Sequence, residues 1–99
     1  MARNTLRRYY KKGEVGLIEW EIRPNIEYEN IVIDEAKYEI LKDGIVIDAN
    51  DIDKPEYGKN VIGLAFDTTR FDKGEYLIRV FVTVHPETRI AEIIAQIGD

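Results

Sequence analysis

The chain of 99 residues contains no cysteine and no serine. The lack of cysteine excludes disulfides, thiolate nucleophiles and zinc sites that need sulfur ligands. Without serine, and with His85 as the single histidine, the usual pairs of nucleophile and base cannot be assembled. We therefore expect a protein that is not an enzyme and that needs no cofactor.

Long apolar runs are missing as well. No stretch approaches the roughly 18 uncharged apolar residues of a membrane span, and residues 1–8 lack the apolar run of a secretory signal. We expect no membrane partner and a cytoplasmic location.

Charge is distributed unevenly along the chain. There are 14 Lys and Arg against 19 Asp and Glu, a formal net charge of -5, which argues against a surface built wholly for nucleic acid. Residues 1–12 nevertheless contain five basic residues and no acidic one. We predict a basic N-terminal arm over 1–13 and a folded domain over 14–99. Because no residue of the core pattern precedes Val15, the domain is expected to fold without the arm.

From Glu14 onward the apolar residues recur with a period of two, which predicts strands that are buried on one face. Ile18, Trp20 and Ile22, for example, alternate with charged residues. The segments of this kind are 18–22, 31–41, 61–66 and 76–84.

The intervening segments suggest how these strands connect. Asp43-Gly44 lies between two apolar runs and predicts a hairpin, whereas 48–60 is rich in Asp, Asn, Pro and Gly and predicts a loop. Residues 89–97 fit either a helix or a strand, and a strand is favoured because it would pair with the preceding one. The predicted fold is all-β, a seven-stranded antiparallel β-sandwich.

One short motif supports a resemblance. Residues 72–76 match the pattern Asp-x-Gly-x-Tyr, with Asp72, Gly74 and Tyr76 between two alternating segments. In this respect the chain resembles immunoglobulin-like and fibronectin type III-like sandwich domains over residues 14–97. The resemblance implies that Asp72 and Gly74 shape a corner and that the Tyr76 hydroxyl bonds back to the backbone. It implies a fold and leaves the function open.

The main candidate binding segment interleaves cationic and aromatic side chains. Its members are Arg7, Arg8, Tyr9, Tyr10, Lys11 and Lys12. Such groups could neutralise phosphates and stack bases. The alternatives are a disordered arm, or an arm that docks on the acidic body of its own or a neighbouring subunit. Because that body would repel a polyanion, docking is favoured and nucleic acid is not expected as a partner.

Phe81 is the second candidate, because it lies on the face of its strand that should be polar. Together with Leu77 and with Val15 or Leu17 it would form an apolar patch of the kind that marks an interface. The alternative is that the arm covers this face.

Acidic side chains cluster at Asp48, Asp51 and Asp53. Calcium needs several oxygen ligands, but the spacing does not fit an EF-hand loop. A solvated turn is favoured, and no metal site is expected.

These observations predict a non-enzymatic structural or interaction module that contacts a protein partner or associates with itself. In size and architecture it is similar to small accessory proteins of tailed bacteriophages, which would place it in a virion. The alternative is a ligand- or carbohydrate-binding module, with Tyr9, Tyr28 and Tyr57 as its candidate aromatic residues.

Overall fold

The computed structural model describes residues 6–23, 32–55, 60–84 and 86–99. Within these ranges the chain forms seven strands and one 3₁₀ turn. The strands are β1 (Leu6–Lys11), β2 (Val15–Glu21), β3 (Glu35–Lys42), β4 (Ile45–Asp51), β5 (Val61–Asp67), β6 (Gly74–Val84) and β7 (Glu87–Gly98), and the 3₁₀ turn is Thr68–Arg70. Among the residues described, no helix is long and apolar enough to cross a membrane.

The strands form two sheets, one of five strands in the order β1-β7-β6-β3-β4 and one of two strands, β2 and β5. The all-β prediction is confirmed. The prediction of a fully antiparallel fold is wrong, because β1 runs parallel to β7, from Leu6 opposite Ile93 to Lys11 opposite Gly98. Residues 6–11 of the segment assigned to the arm thus form an edge strand on the side of β7 that β6 leaves open.

One core lies between the two sheets. Alternate side chains of β2, β3, β5, β6 and β7 point into it, as expected for sheets that face water on their other side. Its fully buried members include Ile18, Ile62, Phe66, Ile78, Val80 and Ile93. Each such side chain contributes about 1.5–3 kcal/mol by leaving water. These contacts join the two sheets into a β-sandwich-like domain.

The predicted hairpin is confirmed. Asp43 and Gly44 have φ values of 52° and 79°, the two positive angles of a primed turn that matches the twist of the strands. The predicted loop over 48–60 is wrong at its start, because β4 continues to Asp51, which lies opposite Lys37 of β3. The segment 89–97 is part of β7, so the strand prediction is confirmed there.

The predicted arm also contributes to the core. The Tyr10 ring meets Phe66 edge-on, with centroids 5.4 Å apart, and Tyr10 packs against the buried cluster. The expectation that no core residue precedes Val15 is therefore wrong. β1 lies at the sheet edge and has one aromatic side chain that points inward. Its sequence therefore lacks the apolar alternation by which a strand is predicted.

Candidate functional site

The surface that presents Phe81 is the outer face of the five-stranded sheet, the face turned away from the core. Strand register arranges its side chains in rows across β3, β6 and β7, and three rows lie beside a polar one, Glu35–Thr83–Thr88. We define the outer face by these three rows, which are Lys37–Phe81–Ile90, Glu39–Arg79–Glu92 and Leu41–Leu77–Ile94. Two apolar rows therefore flank a charged one.

The charged row is held by ion pairs within the chain. Arg79 Nε lies 3.0 Å from Glu92 Oε2, and Arg79 Nη1 lies 3.8 Å from Glu39 Oε1. Pairs at a surface contribute little to stability, but two partners on opposite sides keep the guanidinium group between the neighbouring strands. The row thus separates the two apolar rows at a defined spacing.

Each apolar row borders a shallow depression. One of about 340 Å³ lies beside Phe81, Lys37 and Ala49, and one of about 560 Å³ lies beside Leu41, Leu77 and Ile94. The Phe81 row is open to water at Ile90, whereas Phe81 itself is half-buried. Ile90 is 56% exposed, and the Lys37 ammonium group lies 5.7 Å from the centre of the Phe81 ring, within the range of a cation–π contact.

The predicted patch is thus assembled in part. Leu77 and Phe81 share the outer face, four residues apart on β6. Val15 and Leu17 are exposed on β2, in the other sheet, opposite Asp67 and Ala65 of β5. They do not join the patch, because the core lies between the two sheets. The described part of the arm, from residue 6 onward, does not cover the outer face either, since β1 lies at the sheet edge.

Several residues of the arm make contacts within their own domain. Arg7 Nη1 donates hydrogen bonds to Glu75 Oε2 at 2.6 Å and to Gln96 Oε1 at 3.1 Å. The bond to Glu75 raises the pKa of Arg7. Burial against Phe66 raises the pKa of Tyr10. Arg7 and Tyr10 thus fix β1 on opposite faces of the sheet.

Lys12 anchors the end of β1 to the 3₁₀ turn. Its Nζ donates hydrogen bonds to the carbonyl oxygens of Thr68, at 3.1 Å, and of Phe71. The neighbouring Gly13 N–H donates to Thr68 Oγ1 at 2.9 Å, and this hydroxyl group in turn donates to Glu14 O at 2.6 Å. The Lys12 ammonium group therefore supplies hydrogen-bond donors to the carbonyl oxygens of a tight turn.

The remaining candidates on the arm face water. Arg8, Tyr9 and Lys11 are exposed, Tyr9 by 73%. Arg7 and Tyr9 lie on one side of β1 and Arg8 on the other, because successive side chains of a strand alternate. The six candidates therefore do not form one continuous cationic and aromatic surface.

Asp72, Gly74 and Tyr76 form a corner before β6. The Tyr76 hydroxyl group donates a hydrogen bond to the carbonyl oxygen of Asp72 at 2.6 Å, which is the bond that the Asp-x-Gly-x-Tyr pattern implies. Gly74 has a φ of 146°, a conformation that residues with a Cβ rarely adopt. Burial raises the pKa of Tyr76. This corner connects the 3₁₀ turn with β6.

Asp48 of the acidic cluster is held by neighbouring side chains. The Asp48 carboxylate accepts a hydrogen bond from the Tyr38 hydroxyl group at 3.0 Å and lies 3.5 Å from Arg70 Nη2. Among the residues that the structure describes, no group of three His, Cys, Asp or Glu could hold a metal ion. His85, Tyr28 and Tyr57 lie outside the described residues.

The comparisons with known proteins bear on the fold. No family model matches the chain, and no curated protein matches it. It is similar to an engineered protein of known crystal structure, with a TM-score of 0.67 at 10% identity. It is also similar to the endo-β-1,4-mannanase from Thermotoga petrophila, with a TM-score of 0.63 at 17% identity. Each alignment covers 97% of this chain but 18% of the other. At such low identity the likeness shows a small β-sandwich-type fold and nothing of function.

Proposed function

We propose that the chain is a non-enzymatic interaction module whose contact surface is the outer face of the five-stranded sheet. The observation that carries the proposal is the apolar character of that face, where Phe81, Ile90, Leu77 and Ile94 lie in two rows beside shallow depressions. Ile90 is exposed and the other three are half-buried, and partly exposed apolar side chains that cluster around a fixed charged group are typical of protein contacts. The lack of serine and cysteine, noted above, supports a role without catalysis.

The proposal includes an immunoglobulin-like architecture. Two features support it: a five-stranded sheet that packs on a smaller sheet, and the Tyr76–Asp72 bond at the corner before β6. The narrower hypothesis of a phage virion component rests on size and architecture alone, and the comparisons add nothing to it. The proposed function is therefore that of a contact surface for a protein partner or a second copy.

Photo-crosslinking tests the surface directly. A benzoylphenylalanine at position 81 is expected to crosslink to the partner, which mass spectrometry then identifies as a second copy or another protein. The matched control is the same group at Leu17, which is exposed on the other sheet. Crosslinks at position 17 without crosslinks at position 81 would contradict the proposal.

A pair of substitutions measures how much Phe81 contributes to the affinity of the interaction. Phe81→Asp should weaken the captured interaction by about tenfold or more, equivalent to about 1.4 kcal/mol. Leu17→Asp, an equally polar change on the opposite face, should leave it unchanged. Equal losses in both variants would point to a general effect of charge rather than to a contact at Phe81.

The second candidate function is carbohydrate binding, and the exposed Tyr9 ring favours it. Tyr9 borders a depression of about 350 Å³ that Glu14, Gln96 and Asp99 also line, so a ring that can stack on a sugar lies near carboxylate and amide groups. The mannanase likeness is one of fold, but it suggests manno-oligosaccharides as the first probes. Calorimetry should detect binding that Tyr9→Ala abolishes, and absence of heat with the unaltered protein would refute this candidate.

A further inference from the structure

The two edges of the five-stranded sheet carry opposite charges. β1, at one edge, has three basic residues and no acidic one, namely Arg7, Arg8 and Lys11. β4, at the other edge, has two acidic residues and no basic one, namely Asp48 and Asp51. Among the described strands, β2 and β5 also lack basic residues. β1 is therefore the basic edge, and β4 is the acidic edge of the same sheet.

Both edges have backbone groups that point away from the sheet. Lys12 N–H donates to Gly98 O of β7, and because direction alternates along a strand, Arg7 and Tyr9 present their backbone groups outward. The backbone groups of Lys11, at the end of β1, are hydrogen-bonded to Glu14. Ile52 N–H donates to Ala36 O of β3, so Ala49 and Asp51 present their backbone groups outward on β4. Within the described part of the chain no further strand pairs with either edge.

The β4 edge has few of the devices that usually protect an edge strand. It carries no lysine and no proline, although a register shift beside Ile40 and Leu41 of β3 disturbs one end. Ile45, at 68% exposure, is followed by exposed Val46 and Ile47. β-branched side chains at an unpaired edge favour addition of another strand.

The direction of the two edge strands suits such an addition. β1 is parallel to β7, and the pairs β7–β6, β6–β3 and β3–β4 are all antiparallel. β1 and β4 of one chain therefore run in opposite directions. A second copy displaced sideways along the sheet brings its β1 beside β4 in an antiparallel arrangement, with both outer faces on the same side.

We propose that copies of this chain associate head to tail, with β4 of one copy paired in antiparallel fashion to β1 of the next. The inference rests on the proposed function, because it takes association as the role of the domain. One register places Arg7 of the second copy opposite Asp51 and Tyr9 of the second copy opposite Ala49. The lengths of the two strands differ by one residue, six in β1 and seven in β4. Such heterologous contacts leave a free edge at each end and so build rows of copies.

Charge makes the association dependent on salt. Exposed charges act over about 30 Å at 0.01 M salt but over only about 8 Å at 0.15 M. A contact of six residues is small compared with a standard interface, so the rows form at high protein concentration. Sedimentation velocity of the full chain should show a weight-average coefficient that rises with concentration, and rises more steeply at the lower salt.

Asp51→Lys is the first test, with Glu19→Lys as its matched control. Both change the net charge equally, but Glu19 is exposed on β2 of the other sheet. Asp51→Lys should weaken association at low salt by about tenfold, and Glu19→Lys should not. Equal effects of the two variants would overturn the pairing, since they would reflect net charge alone.

Ala49→Pro tests the backbone. The Ala49 N–H points to the free edge, so its loss leaves the β3–β4 ladder intact while it blocks a new strand. Thermal melting confirms that the variant is folded. The proposal predicts that it sediments as a monomer, and association that matches the unaltered protein would overturn it.

A charge exchange gives the most specific result. The double variant Arg7→Glu with Glu75→Arg reverses the sign of β1 at this position and retains an ion pair within the chain. Alone it should associate as weakly as Asp51→Lys, but a mixture of the two proteins should recover association, because each mixed contact again opposes an acid and a base. A mixture as weak as its components would contradict the register.

The outcomes also separate this inference from the proposed function. If Phe81→Asp weakens association while Asp51→Lys and Ala49→Pro do not, the outer face is the contact and strand pairing is wrong. If the edge variants dissociate the rows and Phe81→Asp does not, strand pairing is supported and the outer face is not the contact between copies. A protein that remains monomeric at every concentration and salt overturns the pairing, and crosslinking at position 81 then decides the proposed function.

Discussion

The substitution Tyr76→Phe tests the corner before β6. The ring is 3% exposed and packs against Phe71, with centroids 5.4 Å apart, so phenylalanine keeps all of these contacts. The change removes the hydroxyl group, whose hydrogen bond to Asp72 O measures 2.6 Å. A buried carbonyl left without its donor costs about 1–3 kcal/mol. Because this turn is partly open to water, we expect a loss in the lower half of that range.

Urea denaturation provides the measurement, with the single tryptophan, Trp20, as a fluorescent probe in a partly buried position of the smaller sheet. The midpoint should fall with an unchanged slope, and the melting temperature should fall by roughly 4–8 °C for each kcal/mol. Tyr9→Phe is the matched control, because its exposed ring should tolerate the change to within about 0.5 kcal/mol. Coincident curves for Tyr76→Phe and the unaltered protein would refute the corner's role and remove a main support for the immunoglobulin-like architecture.

Three other predictions concern the segment before Val15 and the buried tyrosines. Tyr10→Ala should cost roughly 2 kcal/mol by removing the contact with the core, whereas Tyr9→Ala should cost little, as urea denaturation will show. Lys12→Met should cost about 1–2 kcal/mol through loss of its bonds to turn carbonyls, and Lys11→Met, at an exposed position, should not. Burial raises the pKa of Tyr10 and Tyr76 above the ordinary value of 10.0, so the folded state favours their neutral forms. Their contribution to stability is full below pH 10 and is lost as pH rises further, so urea midpoints that stay constant into that range would contradict it.

Much of the fold follows from alternation in the sequence. β2, β5 and β6 have one face in the core and one face toward water, so their apolar residues recur with a period of two. The hairpin at Asp43-Gly44 was predictable because both residues tolerate positive φ. These features depend on residues close together in the chain, so they can be predicted from a single sequence.

The two edge strands lack this signal. Tyr10 is the residue of β1 that packs against the core, and β4 is exposed at all positions except Asp48, which is partly buried. Strands of this kind are defined by backbone pairing with a neighbour, and such pairing leaves no pattern of apolar residues. Composition then predicted a disordered or docking arm in place of β1. It predicted a loop over residues 48–51 of β4, although the hairpin at Asp43-Gly44 already placed residues 45–47 in a strand.

The outer face could be predicted only in part for a related reason. Phe81 was recognisable as an apolar residue on a polar strand face. The row Glu39–Arg79–Glu92 depends on the register of three strands, and residues 39 and 79 are far apart in the chain. Long-range register follows from packing of the whole sheet, so neither the row nor the neighbouring Leu77–Ile94 pair is visible in the sequence.

The strand position of β1 also limits what its charges can bind. Within residues 6–12, Arg7 is paired with Glu75 and Lys12 is bonded to turn carbonyls, so Arg8 and Lys11 are the exposed cations that no such contact holds. Two phosphate contacts would give a slope of about -2 in a plot of log affinity against log salt. Filter binding with oligonucleotides should therefore show weak binding and a slope no steeper than this value. A steeper slope would mean that further cations take part, namely Arg3, which lies outside the described residues, or Arg7 and Lys12 after β1 leaves β7. Tyr10→Ala, which loosens β1, should strengthen binding in the second case and not in the first.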